Sequence, residues 1–286
     1  MFATPRTPLG DSALLASLTF VAAAIAAVGA AVLVAVAAAV VAVLQGSSSP
    51  EAITSSVTSY WATVATIVAS QAAMLCVALA AWWCTGGTFR RRLSLTAPRV
   101  TLMEGATILA ACGVPMAMAL FAAATLPSFT DPTQIMSIWS DTPPLLAVLW
   151  IAIIGLLPGI TEEILFRGLI QRGFCRRLGP VIAILVTSVL FAFLHVDPAA
   201  MGLAFILGLW LGVVAWRTGS IILPILTHIL VNSSWNTIQI VGLQAPLNAT
   251  LGTILLVVVG VVTTTAFVYS IGILRRVGKG HSAILE

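Results

Sequence analysis

Apolar runs of about 20 residues recur along this chain so regularly that little else fits between them. A helix satisfies its backbone hydrogen bonds internally, and ~20 residues carry it across the hydrocarbon layer. Counting such runs gives eight spans, at 13–44, 57–84, 101–126, 145–170, 181–195, 200–216, 220–240 and 250–274. The fifth and sixth are short, and the break between them, at His195-Val-Asp-Pro198, is the weakest boundary. With 60% hydrophobic and 8% charged residues, the composition lies far from that of a soluble domain. The pattern predicts an all-α polytopic membrane protein, a single bundle of about eight transmembrane helices forming one domain over 1–286. The first run, Ala13 to Leu44, far exceeds the ~7–15 residues of a signal-peptide core and is expected to remain as a membrane helix.

The charges outside the spans separate by side. Arg90, Arg91, Arg92 and Arg99 follow the second span; Arg172, Arg176 and Arg177 follow the fourth; Arg217 follows the sixth; Arg275, Arg276 and Lys279 follow the eighth. The alternate loops hold Glu51, Asp131, Asp141 and Asp197. Eight spans with both termini cytoplasmic place every basic loop on the inner side, as the positive-inside rule requires. Seven or nine would break the pattern. Trp61, Trp82, Trp83 and Trp216 stand near span ends, where indoles anchor at the interface. In the outer loop 127–144, Ile135, Met136, Ile138 and Trp139 suggest a short interfacial helix. Cys76, Cys84, Cys112 and Cys175 form no CxxC pair and read as small buried hydrophobes. No basic cluster is interleaved with aromatics, which sets nucleic-acid partners aside.

Within this apolar frame, the fourth span carries Glu162, Glu163 and Arg167. A charge at mid-bilayer costs at least ~2.5–3.5 kcal/mol on insertion scales, so three in six positions mark a functional site. Glu163 and Arg167 lie four apart on one helical face and can neutralise each other. Glu162 lies ~100° round the helix and must find its partner on another one. Other polar groups inside the spans are His195, at the end of the fifth, and His228 and Asn232, four apart on the seventh. Pro158 and Pro224 loosen the ladder shortly before Glu162 and His228. Gly202, Gly208 and Gly212 permit close helix contact in the sixth span.

Depth tests whether these groups can meet. At ~1.5 Å per residue, Glu162 lies ~15 Å from the basic end at Arg172; His228 lies ~12 Å, Asn232 ~18 Å and His195 ~22 Å from that same side. All four can share one pocket if the fourth, fifth and seventh spans are neighbours. A carboxylate there can act as general base toward water and later pass the proton to a leaving amine. One His can orient the water, while the second His and the Asn supply donors to the oxyanion formed when a carbonyl is attacked. This chemistry is amide hydrolysis without a metal or other cofactor. No serine or cysteine stands next to a base as a nucleophile, although Ser188, Thr161 and Thr227 lie near the groups and stay open.

EEILFR (Glu162 to Arg167), FAFLH (Phe191 to His195) and HILVN (His228 to Asn232) resemble the EExxxR, FxxxH and HxxxN motifs of the CPBP family of intramembrane endopeptidases, named for CAAX proteases and bacteriocin-processing proteins. TGSIILPILTH, before the third motif, is also family-like. The resemblance covers about 145–240, the expected catalytic core. It implies Glu162 as general base, His195 as holder of the water, Glu163 and Arg167 as a supporting ion pair, and His228 and Asn232 as oxyanion donors. It also implies a substrate that is a membrane protein or peptide, of the prenylated CAAX type in some members. Other readings are a zinc site on Glu162, His195 and His228, a proton-coupled carrier, a non-catalytic scaffold, and hydrogen-bonded glue between helices. HExxH is missing and no internal repeat is visible. The Ala- and Val-rich helices suit a bacterial inner membrane.

Overall fold

The computed structural model describes residues 13–85, 88, 90, 93–128, 142–244 and 249–285, and among these all regular structure is helical. The helices are α1 (Ala13–Leu44), α2 (Pro50–Val57), α3 (Tyr60–Thr85), α4 (Leu102–Ala110), α5 (Gly113–Thr125), α6 (Pro144–Glu163), α7 (Gln171–Phe193), α8 (Pro198–Thr218), α9 (Ile222–Gln244) and α10 (Ala249–Leu285). A π-helical segment, Ile164–Ile170, joins α6 to α7. The expected interfacial helix around Trp139 lies outside the described residues, as do Arg91, Arg92, Asp131 and Asp141.

Six stretches are long and apolar enough to cross a membrane. One of them, Pro144–Phe193, is 50 residues long. Gly179 divides it, with φ 75° and ψ 166°, immediately before Pro180. A positive φ suits glycine, and proline cannot continue the preceding ladder, so the chain turns back there and the stretch holds two spans. The α9 helix, made more polar by His228, Asn232 and Asn236, crosses beside them. Counted in this way, the long helices of the bundle number eight, as expected. The third is broken: α4 ends at Ala110 and α5 starts at Gly113. Pro115 has no N–H for the Ala111 carbonyl and its ring would clash with it. The chain crosses the gap in tight turns, Cys112 N–H to Leu109 O and Val114 N–H to Ala111 O, both at 3.2 Å.

Local capping sets the other boundaries. Asp197 caps α8 by accepting from the Ala199 and Ala200 N–H groups, Pro198 takes the first helical position, and Gly219 ends the helix at φ 66°. Thr101 and Glu104 form a reciprocal capping box on α4. Between α7 and α8, Val196 adopts φ 58°, an uncommon conformation for a β-branched residue. It sits directly after His195.

The packing order places α6 at the centre, against α3 on one side and α9 on the other. Behind it, α8 packs on α7 and α5, and α10 on α4, α5 and α8. The residues most completely buried cluster around the π-helical segment: Leu165, Phe166 and Ile170 with Phe191 and Leu93. Two glycines let α6 and α9 approach closely. A Cβ at Gly155 would collide with the Ser233 side chain, and one at Gly159 with Ile229. By contrast, α1 and α10 expose Leu, Ile and Val almost all round, as in Leu33 (71%) and Leu256 (73%), the surface expected where lipid is the solvent. Cys76 and Cys84 are exposed on α3, correcting the expectation that all four cysteines are buried; Cys112 is buried and Cys175 half-buried. An apolar outer face suits a thiol as well as a core does.

One end of the bundle gathers the basic residues. Arg276 pairs with Glu104, Arg172 donates to Ser94 Oγ at 2.8 Å, and the Arg217 guanidinium lies 4.1 Å from the Trp216 ring centre.

Candidate active site

Glu162 and Glu163 end α6, and the helical hydrogen bonds widen to the π pattern from the next residue. Such a bulge rotates the following side chains relative to a regular α-helix and recurs at functional sites. Here Glu163 and Arg167 still meet. Arg167 NH1 donates to Glu163 Oε1 at 2.7 Å, with both side chains fully buried. The same oxygen receives His228 Nδ1 at 2.9 Å. An ionised carboxylate can only accept, so the imidazole carries a hydrogen on Nδ1. Arg167 NH2 also donates to the Gly208 carbonyl at 3.2 Å, and its guanidinium lies 4.6 Å from the Phe191 ring centre. The ion pair is thus held by π, carbonyl and imidazole contacts, which a buried charge pair requires.

Glu162 finds its partner on α3. Gln71 Nε2 donates to Glu162 Oε1 at 2.8 Å. Thr161 donates its hydroxyl to Gln71 Oε1, which orients the amide with its NH2 toward the carboxylate. Glu162 Oε2 has no hydrogen-bond partner and lies 3.9 Å from His228 Nε2. One carboxylate oxygen is therefore anchored and the other is uncommitted, at the distance a single bridging group would span.

Phe191 ties the second motif to the third. Its ring meets His195 edge-on at 5.1 Å and His228 at 5.8 Å, and packs on Phe166 at 5.1 Å. The Phe191 carbonyl lies 3.1 Å from His195 Nδ1. A carbonyl accepts, so this nitrogen carries a hydrogen, and in the neutral imidazole Nε2 is then the acceptor. Asn232 donates to the Ile154 carbonyl at 3.2 Å. One turn on, Asn236 Oδ1 receives Trp150 Nε1 at 2.8 Å, so α9 is pinned to α6 by an amide ladder.

His195, His228 and Asn232 line one cavity of about 180 Å³, otherwise walled mainly by apolar side chains such as Met116, Leu207 and Trp235. The six expected residues thus fall into two linked groups. Glu162, Glu163, Arg167 and His228 interact directly, while His195 and Asn232 join His228 around the cavity. Among the described residues no three His, Cys, Asp or Glu side chains converge as metal ligands. Ser188 gives its hydroxyl to the Ile184 carbonyl, and the single Thr161 hydroxyl hydrogen is shared between Gln71 Oε1 and the Leu157 carbonyl.

Sequence reasoning missed Gln71, Asn236 and Trp150. Gln71 is the one strongly polar side chain inside YWATVATIVASQAAMLCVALAAWWCT, a signal of the same kind as the Glu pair. Asn236 extends the four-residue spacing of His228 and Asn232.

The fold and site define a multi-pass helical membrane protein with a buried carboxylate, imidazole and amide cluster where its central helices meet. Residues 144–234 carry a domain that matches the family model described as type II CAAX prenyl endopeptidase Rce1-like, consistent with the CPBP family. That likeness supports an endopeptidase acting within the membrane on a membrane-associated substrate. Comparison with curated proteins and with solved structures finds no match.

Proposed function

We propose that this protein hydrolyses a peptide bond of a membrane-associated protein or peptide, with Glu162 activating the water and no metal required. The observation that carries the reading is the asymmetry of Glu162: Oε1 is anchored by Gln71, whereas Oε2 is buried, unpartnered and 3.9 Å from His228 Nε2. A general base needs one oxygen held and one available.

In this scheme, Glu162 Oε2 takes a proton from water while His195 Nε2 accepts a hydrogen bond from the O–H that the water keeps. The water oxygen attacks the scissile carbonyl carbon, and the developing oxyanion lies against His228 and Asn232. His228 enters this scheme as the imidazolium, with Nδ1–H to Glu163 and Nε2–H offered to the oxyanion. Once Glu162 is protonated, the positive charges of His228 and Arg167 balance the Glu163 carboxylate and the oxyanion. Collapse of the tetrahedral species breaks the C–N bond, and Glu162 returns its proton to the leaving amine. Residues 145–240 form the catalytic core within one domain of 1–286, in a bacterial inner membrane with both termini cytoplasmic. The prenylated CAAX tail is the finer substrate class the family likeness suggests.

The test uses the purified full-length protein in liposomes with a fluorogenic membrane peptide. Glu162→Gln keeps the fold and abolishes cleavage, and EDTA leaves the wild type active. Cleavage by Glu162→Gln at the wild-type rate, or EDTA inhibition reversed by zinc, overturns the reading.

A further inference from the structure

The chain leaves His195 through a turn that an ordinary helix end does not need. The Asp197 N–H donates to the His195 carbonyl, two residues back, at 2.5 Å, and Val196 between them holds φ 58°. A three-residue turn closed around a positive φ is rare and strained, the more so with a β-branched residue at its centre. Burial does not explain a valine there, since the residue is 71% exposed. Strain of this kind persists where the surrounding contacts over-determine the backbone, and it gathers at functional sites.

Those contacts converge on Asp197. Its Oδ1 accepts from the Ala199 and Ala200 N–H groups at 3.0 and 3.1 Å, which caps α8. Its Oδ2 accepts from the Ser128 hydroxyl at 2.9 Å, just beyond the end of α5. One residue thus ties the end of α7 to the first turn of α8 and to the chain leaving α5. The wall of the cavity draws on the same three elements, with His195 after α7, Ala200 on α8, and Met116 and Ala119 on α5. The rotation of the His195 ring is set by Nδ1 on the Phe191 carbonyl at 3.1 Å. Its place relative to the other walls is set by the backbone at 195–197. We infer that Asp197 is a positioning residue, which holds His195 at the cavity through the strained turn at Val196. A glycine at 196 adopts this turn without strain, but it adopts many others as readily, so His195 is no longer confined to one place. The consequence for hydrolysis rests on the reading proposed above, in which His195 Nε2 holds the attacking water.

The experiment is NMR of the full-length protein in micelles, ¹⁵N-labelled in the imidazoles of its three histidines, with the His195 signals identified by their loss in His195→Gln. The wild type is expected to give one set of His195 signals, with the hydrogen on Nδ1. Val196→Gly is expected to keep or raise the melting temperature, because the strain is gone. Its His195 signals broaden and average between the two tautomers, and kcat on the membrane peptide falls about 10–100-fold with KM little changed. Asp197→Ala is expected to do the same to the signals and to kcat; should it not fold, Val196→Gly, at an exposed position, carries the test. Asp197→Asn, which retains a capping oxygen, restores the single set and most of kcat. Averaged signals with undiminished kcat support the positioning and count instead against His195 as holder of the water. His195 signals that match the wild type in either Val196→Gly or folded Asp197→Ala overturn the proposal, whatever the activity.

Discussion

Gln71, on the third helix, donates to Glu162, on the sixth, across 91 residues of sequence and 2.8 Å of space. That bond decides which carboxylate oxygen is free. Gln71→Leu removes it and leaves Glu162 Oε1 buried without a donor, so the carboxylate can turn away from His228. Turnover is expected to fall about 10–100-fold with KM little changed, since misplacement of a reacting group by an ångström has that order of effect. Gln71→Asn, which shortens the reach but keeps the amide, is expected to recover part of the loss. Steady-state kinetics on the same membrane peptide check this, and unaltered kinetics in Gln71→Leu would remove Gln71 from the site.

His228 and Asn232 are assigned to the oxyanion. The His228→Ala, Asn232→Ala double variant is expected to lose at least ~10²–10³-fold in kcat, the loss typical of removing one oxyanion donor. Intact cleavage by this variant sinks the assignment. Asn232→Ala alone also frees the Ile154 carbonyl, so its thermal unfolding should be followed beside its activity.

The Glu163–Arg167 pair is fully buried, and His228 shares its carboxylate oxygen. Removing one partner strands the other charge, and Arg167→Met is expected to destabilise the fold by about 3–5 kcal/mol. The Glu163→Leu, Arg167→Met double variant leaves no stranded charge and should recover much of that stability. It should remain inactive, because His228 loses its Nδ1 acceptor. Urea or thermal unfolding in micelles distinguishes the two outcomes, and equal stability of the single and double variants contradicts the pairing.

Close approach of α6 and α9 depends on the absence of side chains at Gly155 and Gly159. Gly159→Val places new atoms where Ile229 already lies and forces the helices apart, carrying Glu162 from His228. Overpacking of this kind costs ~1–3 kcal/mol. The expected result is a lower melting temperature together with a larger loss of activity, whereas Gly260→Val, at a position with open space around it, should change neither.

Asn236 tests the outer part of the ladder. Asn236→Ala takes the acceptor from Trp150 Nε1 and should cost ~1–3 kcal/mol in stability, with an effect on kcat smaller than that of changing Asn232. A loss of activity equal to that of the His228→Ala, Asn232→Ala variant would place Asn236 in the chemistry instead.

Much of this was written in the chain itself. Apolar runs of bilayer length admit only helices, since lipid offers no hydrogen bonds to the backbone. For the same reason charges survive there only with partners, so Glu162, Glu163 and Arg167 were conspicuous, and the i to i+4 pairing of Glu163 with Arg167 followed from helix geometry alone. The break at Ala111 and Cys112 was not read in advance, although Pro115 carried the signal; the turn between the fourth and fifth spans was, and it falls at Gly179-Pro180. What only the tertiary structure decided is which partner each group takes. The π-helical segment after Glu163 depends on how Phe166 and Leu165 pack among Leu93, Ile170 and Phe191. No spacing in one helix says that Gln71 faces Glu162, or that His228 turns Nδ1 to Glu163 and Nε2 toward Glu162. A period of 3.6 residues states which side chains share a face. It leaves free the rotation and depth of each helix against its neighbours, and those are set by contacts such as Gly159 on Ile229 that exist only once the helices have met.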